Sequence, residues 1–263
     1  LPSGARVGFY DDRLRRRFLR EKELEDRFPH ALANGEFHMY LQPKVALPER
    51  CIVGAEALVR WISPEGMLCP NEFVPLFERD GVIAELDFYM FCQVCALLKR
   101  WEREGRPLFC VSVNVSRSNF DVSDFFARYE RHIAENQVPA RYLEFEFTES
   151  VVFDRTGEIN QVIRRIHALG ARCSMDDFGS SYSSLNMLRS LEVDIIKLDQ
   201  GFFRGDTDMD KARSIVNGIV GIARDMRIET VAEGIEDIGQ AAMWCRGTCS
   251  ENQCLPMSSR ISN

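Results

Sequence analysis

The chain has 263 residues, 45% of them apolar, enough to bury the core of one large barrel or of two ordinary domains. Its net charge of −7 gives no bulk electrostatic pull toward DNA, so a small anionic ligand would need local arginines, lysines or bound cations. The apolar runs are far below membrane-spanning length and the first residues carry no apolar signal segment, so the chain reads as cytoplasmic, with no membrane segment of its own.

Residues 1–30 are charge-dense, with apolar positions at helical spacing in DDRLRRRFLREKELEDRF. They read as a solvated helix, which is equally compatible with a linker from an upstream domain. From residue 36 onward short apolar strands alternate with helices. Strands are predicted over 37–41, 52–58, 109–115, 143–147, 172–175, 194–198 and 229–232. Helices are predicted over 71–78, 82–103, 121–136, 157–169 and 211–225. A barrel domain is therefore expected over 31–240, with 241–263 as a tail of different character.

Alternation of this kind implies parallel pairing, in either a doubly wound sheet or a (β/α)8 barrel. The polar residues decide between them. Glu56, Asn114, Glu146, Asp176 with Asp177, Lys197 and Glu233 stand at or just after the ends of successive strands. A barrel brings all such ends to one mouth, where active sites are built, whereas a doubly wound sheet spreads them to both sides of a switch point.

Nine cysteines, an odd number scattered along the chain, fit reduced thiols better than a disulfide framework. Cys92 and Cys95 have CxxC spacing, but they lie inside the apolar helical pattern LDFYMFCQVCALLKRW and are expected to pack in or near the core.

Gathered at one mouth, Glu56, Glu146, Asp176, Asp177 and Glu233 would repel one another strongly. Hard divalent cations with oxygen ligands relieve that repulsion, and the Asn114 amide adds a neutral oxygen. The donor set suits Mg²⁺ or Mn²⁺ and not zinc. Adjacent aspartates can bridge two ions, the arrangement that activates water for in-line attack on phosphorus. Lys197 could hold that water or offset developing negative charge.

These residues sit within motifs that resemble those of EAL domains. Gln42-Pro43-Lys44 and Glu56-Ala57-Leu58-Val59-Arg60-Trp61 are similar to the family's first two signatures. Asn114-Val115-Ser116, Glu146-Phe147-Thr148-Glu149, Asp176-Asp177-Phe178-Gly179, Lys197-Leu198-Asp199 and Val231-Ala232-Glu233-Gly234-Ile235-Glu236 follow in the family's order. The resemblance covers roughly residues 34–240. It implies a TIM-like barrel of EAL type that hydrolyses cyclic-di-GMP to linear pGpG with two Mg²⁺ or Mn²⁺ ions. It further implies that Glu56, Asn114, Glu146 and Asp176 hold one metal, that Asp176 and Asp177 serve the second, and that Lys197 and Glu233 position or deprotonate the water. Arg60 resembles the residue that grips a substrate phosphate, Gln42 a base or phosphate contact at the rim, and Glu149 the glutamate that steadies the loop after Asp177. By the same resemblance, residues 1–30 are similar to the helix that joins a GGDEF domain to an EAL domain, and a homodimer is an expected partner state.

The sequence departs from the family twice. Ser181 stands where the family has glycine, so a left-handed backbone there would cost of order 1 kcal/mol. After Glu236 the family continues through a helix to an eighth strand, whereas this chain runs Asp237-Ile238-Gly239-Gln240 into a tail with little periodicity. Read from the third base of the Ala242 codon, synonymous codons for that tail can spell Asp-Val-Val-Gln-Gly-Tyr-Leu-Phe-Xaa-Lys-Pro-Val-Pro-Xaa-Xaa-Glu-Phe, which follows the family ending. A shifted reading frame with an internal deletion is the leading explanation; genuine divergence and a cloning artefact stand as alternatives. Either way the last helix and strand of the barrel are expected to be missing or replaced, with weak turnover and a module that binds cyclic-di-GMP or a protein as the alternative function.

Overall fold

The computed structural model describes residues 12–46, 51–179, 185–203, 209–235 and 257–258. The chain opens with helix α1 (Asp12–Ala33), whose first half is solvated and laced by i,i+3 and i,i+4 ion pairs such as Arg17–Glu21 and Lys22–Asp26. Its second half buries Leu24, Phe28 and Ala31, so this end of the helix belongs to the fold and is not wholly solvated.

Strands β1 (Phe37–Ala46) and β2 (Cys51–Ser63) then pair antiparallel, with Gln42 opposite Glu56 and His38 opposite Arg60. This departs from the expected parallel pattern, and the short connection explains it: a parallel crossover needs a dozen or more residues. β3 (Gly66–Leu68) extends β2 as a hairpin. Helices α2 (Pro70–Arg79) and α3 (Ile83–Arg103) follow. Then come β4 (Cys110–Asn114), α4 (Phe126–Asn136), β5 (Leu143–Thr148), α5 (Glu149–Asp154) and α6 (Thr156–Ala168). β6 (Arg172–Phe178), α7 (Leu185–Ser190), β7 (Ile195–Leu198), α8 (Met209–Asp225) and β8 (Glu229–Glu233) complete the alternating part.

β2, β4, β5, β6, β7 and β8 pair in parallel in that order. The sheet curls until its edges meet. Its seam is taken by a two-residue strand, β9 (Met257–Ser258), parallel to β8 and antiparallel to β1. The eighth position is thus replaced by a short piece of the tail, while 236–256, Ser181 and the frame-shift reading lie outside the described residues.

Two apolar clusters hold this arrangement. The larger one lies between the strands and α3, α4, α6 and α8, and it includes Phe91, Tyr129, Phe145, Phe147, Ile163 and Val220. Cys95 is buried within it and Cys92 is half-buried at its border, both as free thiols. The second cluster packs Phe28, Phe37, Trp61, Phe73 and Phe77 against one another, with ring centroids 4.6–6.5 Å apart. Trp61 is fully buried, and its indole N–H donates to Glu36 at 2.8 Å, so the exposed end of the barrel wall is fixed to the turn after α1.

Candidate metal centre at the barrel mouth

The inner residues of each strand explain the site. Along β5, Leu143, Phe145 and Phe147 face the helices, and by the strand's period of two Glu144 and Glu146 face the lumen. Ladder partners lie on the same face of a sheet, so Glu56, Ser112, Glu144 and Arg172 form one row and Asn114, Glu146 and Ser174 form the next. The lumen is therefore polar, and its upper end is strongly acidic.

Lys197 stands at the centre of that end, completely buried. Its Nζ lies 3.0 Å from Glu56 Oε2, 3.0 Å from Glu146 Oε2, 3.0 Å from Asp176 Oδ2 and 2.9 Å from Glu233 Oε1. The Asn114 amide donates to Glu56 Oε1 at 3.2 Å and completes the ring. Below, Lys44 Nζ donates to Glu144 Oε1 at 2.8 Å and Glu146 Oε1 at 2.9 Å.

Burial alone would raise the Glu146 carboxyl, but the ammonium groups of Lys197 and Lys44 hold it well below the usual carboxylate range. The remaining carboxylates go the other way. Burial and then Glu146 push Glu56 up; burial, only partly offset by Lys197, pushes Asp176 up; burial and then Asp199 push Asp177 up. Glu233 is pushed up to about 7, chiefly by burial. Burial works against the charged form of Lys197, yet the carboxylates around it, Glu146 first, keep the ammonium protonated. Six carboxylates face two ammonium groups, an excess of acidic groups whose mutual repulsion divalent cations would relieve.

Two sets of oxygens can hold such ions. One oxygen each from Glu56, Glu146 and Asp176 lie within 4.8 Å of one another, and so do oxygens of Asp176, Asp177 and Glu233. Asp176 belongs to both sets. Neighbouring residues of a regular strand point to opposite faces. Here the β6–β7 ladder is interrupted between Met175 and Phe178, and Asp177 takes a left-handed φ of 58°. That kink lets adjacent aspartates serve one centre, and Asp tolerates it better than most residues. The Asp177 N–H donates to Asp176 Oδ1 at 2.8 Å and fixes the pair.

Glu149 does not touch the carboxylate ring. Its buried Oε2 accepts the Gly179 N–H at 3.0 Å, just beyond the aspartates. Gly179 has a φ of 95°, and a Cβ there would run into the Phe202 ring, so only glycine fits. Gln42 sits in register with Glu56. Arg60 is four residues beyond Glu56 on β2, outside the ring; its guanidinium lies over the Tyr40 ring at 5.7 Å and donates to the Val59 carbonyl at 2.8 Å. The structure thus gathers Glu56, Asn114, Glu146, Asp176, Asp177, Lys197 and Glu233, and leaves Glu149, Gln42 and Arg60 around them.

Sequence reasoning assigned no role to Lys44 or Glu144, which share the centre's lower layer. The signal for them is the alternation itself: Lys44 is two residues after Gln42, and Glu144 two before Glu146, so each pair shares a face.

A closed mixed barrel with acidic clusters at its mouth that could hold metal ions is the class that fold and site define. Residues 25–253 match the family described as the EAL domain, and the chain belongs to that family. It is 37% identical over 201 residues to the cyclic di-GMP phosphodiesterase PA2567 of Pseudomonas aeruginosa, covering 76% of this chain and 34% of that protein. It is 30% identical over 247 residues to the cyclic di-GMP phosphodiesterase NbdA of the same organism, covering 94% of this chain and 31% of that one. The chain therefore spans about a third of the length of these curated relatives. The solved structure of PaMucR phosphodiesterase in complex with c-di-GMP superposes with a TM-score of 0.81 at 28% identity, over 90% of this chain and 94% of that one. Among the described residues no helix is long and apolar enough to cross a membrane.

Proposed function

We propose that this chain hydrolyses cyclic-di-GMP to linear pGpG, with two Mg²⁺ or Mn²⁺ ions at the barrel mouth. The observation that carries the reading is the pair of acidic sets sharing Asp176 around a buried Lys197. When bound, the two ions would polarise the scissile phosphate and lower the pKa of a water. Glu56, Asn114, Glu146 and Asp176 would hold the first ion, and Asp176 with Asp177 the second.

Lys197 then orients the water and balances negative charge on the phosphorane oxygens. Glu233, whose Oε1 lies 2.9 Å from Lys197 Nζ, helps to position the water or takes its proton. Arg60 offers a planar fork to a phosphate, and Gln42 contacts a base or phosphate at the rim. Glu149 acts through Gly179, holding the strand exit that carries both aspartates. Cytoplasmic work, a homodimer and an upstream sensory or GGDEF domain joined through α1 complete the reading.

The test is turnover of cyclic-di-GMP with Mn²⁺, followed by separation of pGpG, beside a binding measurement with Ca²⁺. Turnover that disappears in Glu56→Gln and Asp176→Asn supports the enzyme. Binding without pGpG in the wild-type chain would overturn it in favour of a cyclic-di-GMP receptor.

A further inference from the structure

At the other end of the same strands, three side chains of a different chemistry converge. His167 lies in the last turn of α6, Cys173 is the second residue of β6, and Asp194 immediately precedes β7. Cys173 is three residues before Asp176, so roughly 10 Å of strand separates this cluster from the mouth. Cys173 Sγ is 3.7 Å from His167 Nε2 and 3.5 Å from Asp194 Oδ2, and the imidazole and carboxylate are 3.0 Å apart.

We propose that His167, Cys173 and Asp194 form a zinc site at the closed end of the barrel, separate from the mouth. Four ligands set tetrahedrally around zinc, at its usual bond lengths, stand about 3.4–3.6 Å from one another. Of the two edges that involve sulfur, the one to Asp194, 3.5 Å, falls in that range, and the one to His167, 3.7 Å, is about 0.1 Å longer. The His–Asp edge is shorter because a hydrogen bond now joins the two; when an ion takes Nε2, the neutral imidazole carries its single proton on Nδ1. Binding takes the neutral imidazole through Nε2 and releases the Cys173 thiol proton to water.

The ligands are already held in place. Asp194 Oδ2 accepts the Cys173 N–H at 2.8 Å. The Asp194 main chain bonds to Cys173 O at 3.0 Å, and Glu229 N donates to Asp194 O at 2.9 Å. Such outer contacts orient a ligand before the ion arrives. Cys173 is fully buried, while the His167 and Asp194 side chains are 35% and 31% exposed, so ion and fourth-ligand water approach from one side. A sulfur, a nitrogen and an oxygen favour zinc, whereas the all-oxygen mouth favours magnesium or manganese, and the two ends sort cations by softness. Zinc here ties the end of α6 to β6 and β7.

Co²⁺ is the probe, added to the full chain in excess Mg²⁺. The wild type is expected to develop a thiolate-to-cobalt charge-transfer band and the visible bands of tetrahedral cobalt, saturating at one ion and displaced by Zn²⁺. None of the ligands proposed for the mouth carries sulfur, and no cyclic-di-GMP is involved, so the result is independent of the proposed activity. Cys173→Ser should abolish the band. A wild-type chain without it overturns the site, as does a band that persists in Cys173→Ser and so belongs to another cysteine. Should Cys173→Ser fail to fold by circular dichroism, His167→Gln, at a partly exposed position, asks the same question. Cobalt binding at least about tenfold weaker supports the site, and unchanged affinity overturns it.

Discussion

Lys44 and Lys197 clasp one carboxylate from opposite sides: Lys44 Nζ donates to Glu146 Oε1 at 2.9 Å, and Lys197 Nζ donates to Oε2 at 3.0 Å. Glu146 is thereby fixed as an anion in the centre of the lumen, below Asp176 and beside Glu56. The lower lysine shares its charge with Glu144, the upper one with three further carboxylates. Each lysine has its own consequence for stability.

Lys44→Met leaves Glu144 and Glu146 with one ammonium fewer in a place water does not reach. Breaking a buried pair by removing one partner costs about 3–5 kcal/mol, and that loss is expected in chemical denaturation of the metal-free chain. Adding Glu144→Gln removes the stranded charge, so the double variant should be more stable than the single one. Equal stability of the two would show that Glu144 does not need the lysine.

Lys197→Met has a different signature because cations compete for the same oxygens. In chelator the variant is expected to lose about 3–5 kcal/mol, since Glu56, Glu146, Asp176 and Glu233 all lose their shared partner. Mg²⁺ should restore much of this loss, because any ligand that binds only the folded state raises its stability. Thermal melts with and without Mg²⁺ check it, and a variant that melts identically in both would count against cations at the mouth.

Much of this centre is legible in the sequence, and for a physical reason. Lumen-facing positions recur every second residue, so a charge inside an apolar strand can be read as an inward one. Glu56, Glu146 and Lys197 are visible in this way; the seven predicted strands and four of the five predicted helices lie where periodicity puts them, and the fifth, expected over 121–136, begins at Phe126. Three things are not legible. The antiparallel β1–β2 pairing depends on the connection, not on the strands. α5 and α7 are six residues each, too short for a helical period to register. The left-handed Asp177 that brings both aspartates to one centre leaves no mark in composition, because Asp is common in strand ends of every kind.

Glu149 is proposed as a positioning residue, and Glu149→Gln separates its geometry from its charge. Gln keeps an oxygen that accepts the Gly179 N–H, whereas Glu149→Ala leaves that donor without its partner. With a charge-assisted bond of this kind worth about 1.5–3 kcal/mol, cyclic-di-GMP cleavage should fall at least about tenfold in the alanine variant. The glutamine variant should stay near wild type. A glutamine variant as slow as alanine would mean that the negative charge itself acts on the metals.

Asp87 gives the chain a pH dependence that does not involve the mouth. It is almost wholly buried on α3, and its Oδ2 accepts from Ser116 N at 2.8 Å, Ser116 Oγ at 2.6 Å and Asn119 Nδ2 at 2.7 Å. Burial pushes its carboxyl up to about 6 from an ordinary 3.8, and the Ser116 and Asn119 hydrogen bonds only partly oppose this. The folded state therefore holds the proton more tightly than the unfolded state does. The stability it contributes is fully present below about pH 4 and is lost as pH rises through about 6. Asp87→Asn cannot titrate. The unfolding free energy of wild type relative to this variant should fall by about 2–3 kcal/mol between pH 4 and 7, a comparison in which the mouth carboxylates cancel. Denaturation curves of both chains across that range measure it, and a constant difference would place the Asp87 carboxyl at its ordinary value.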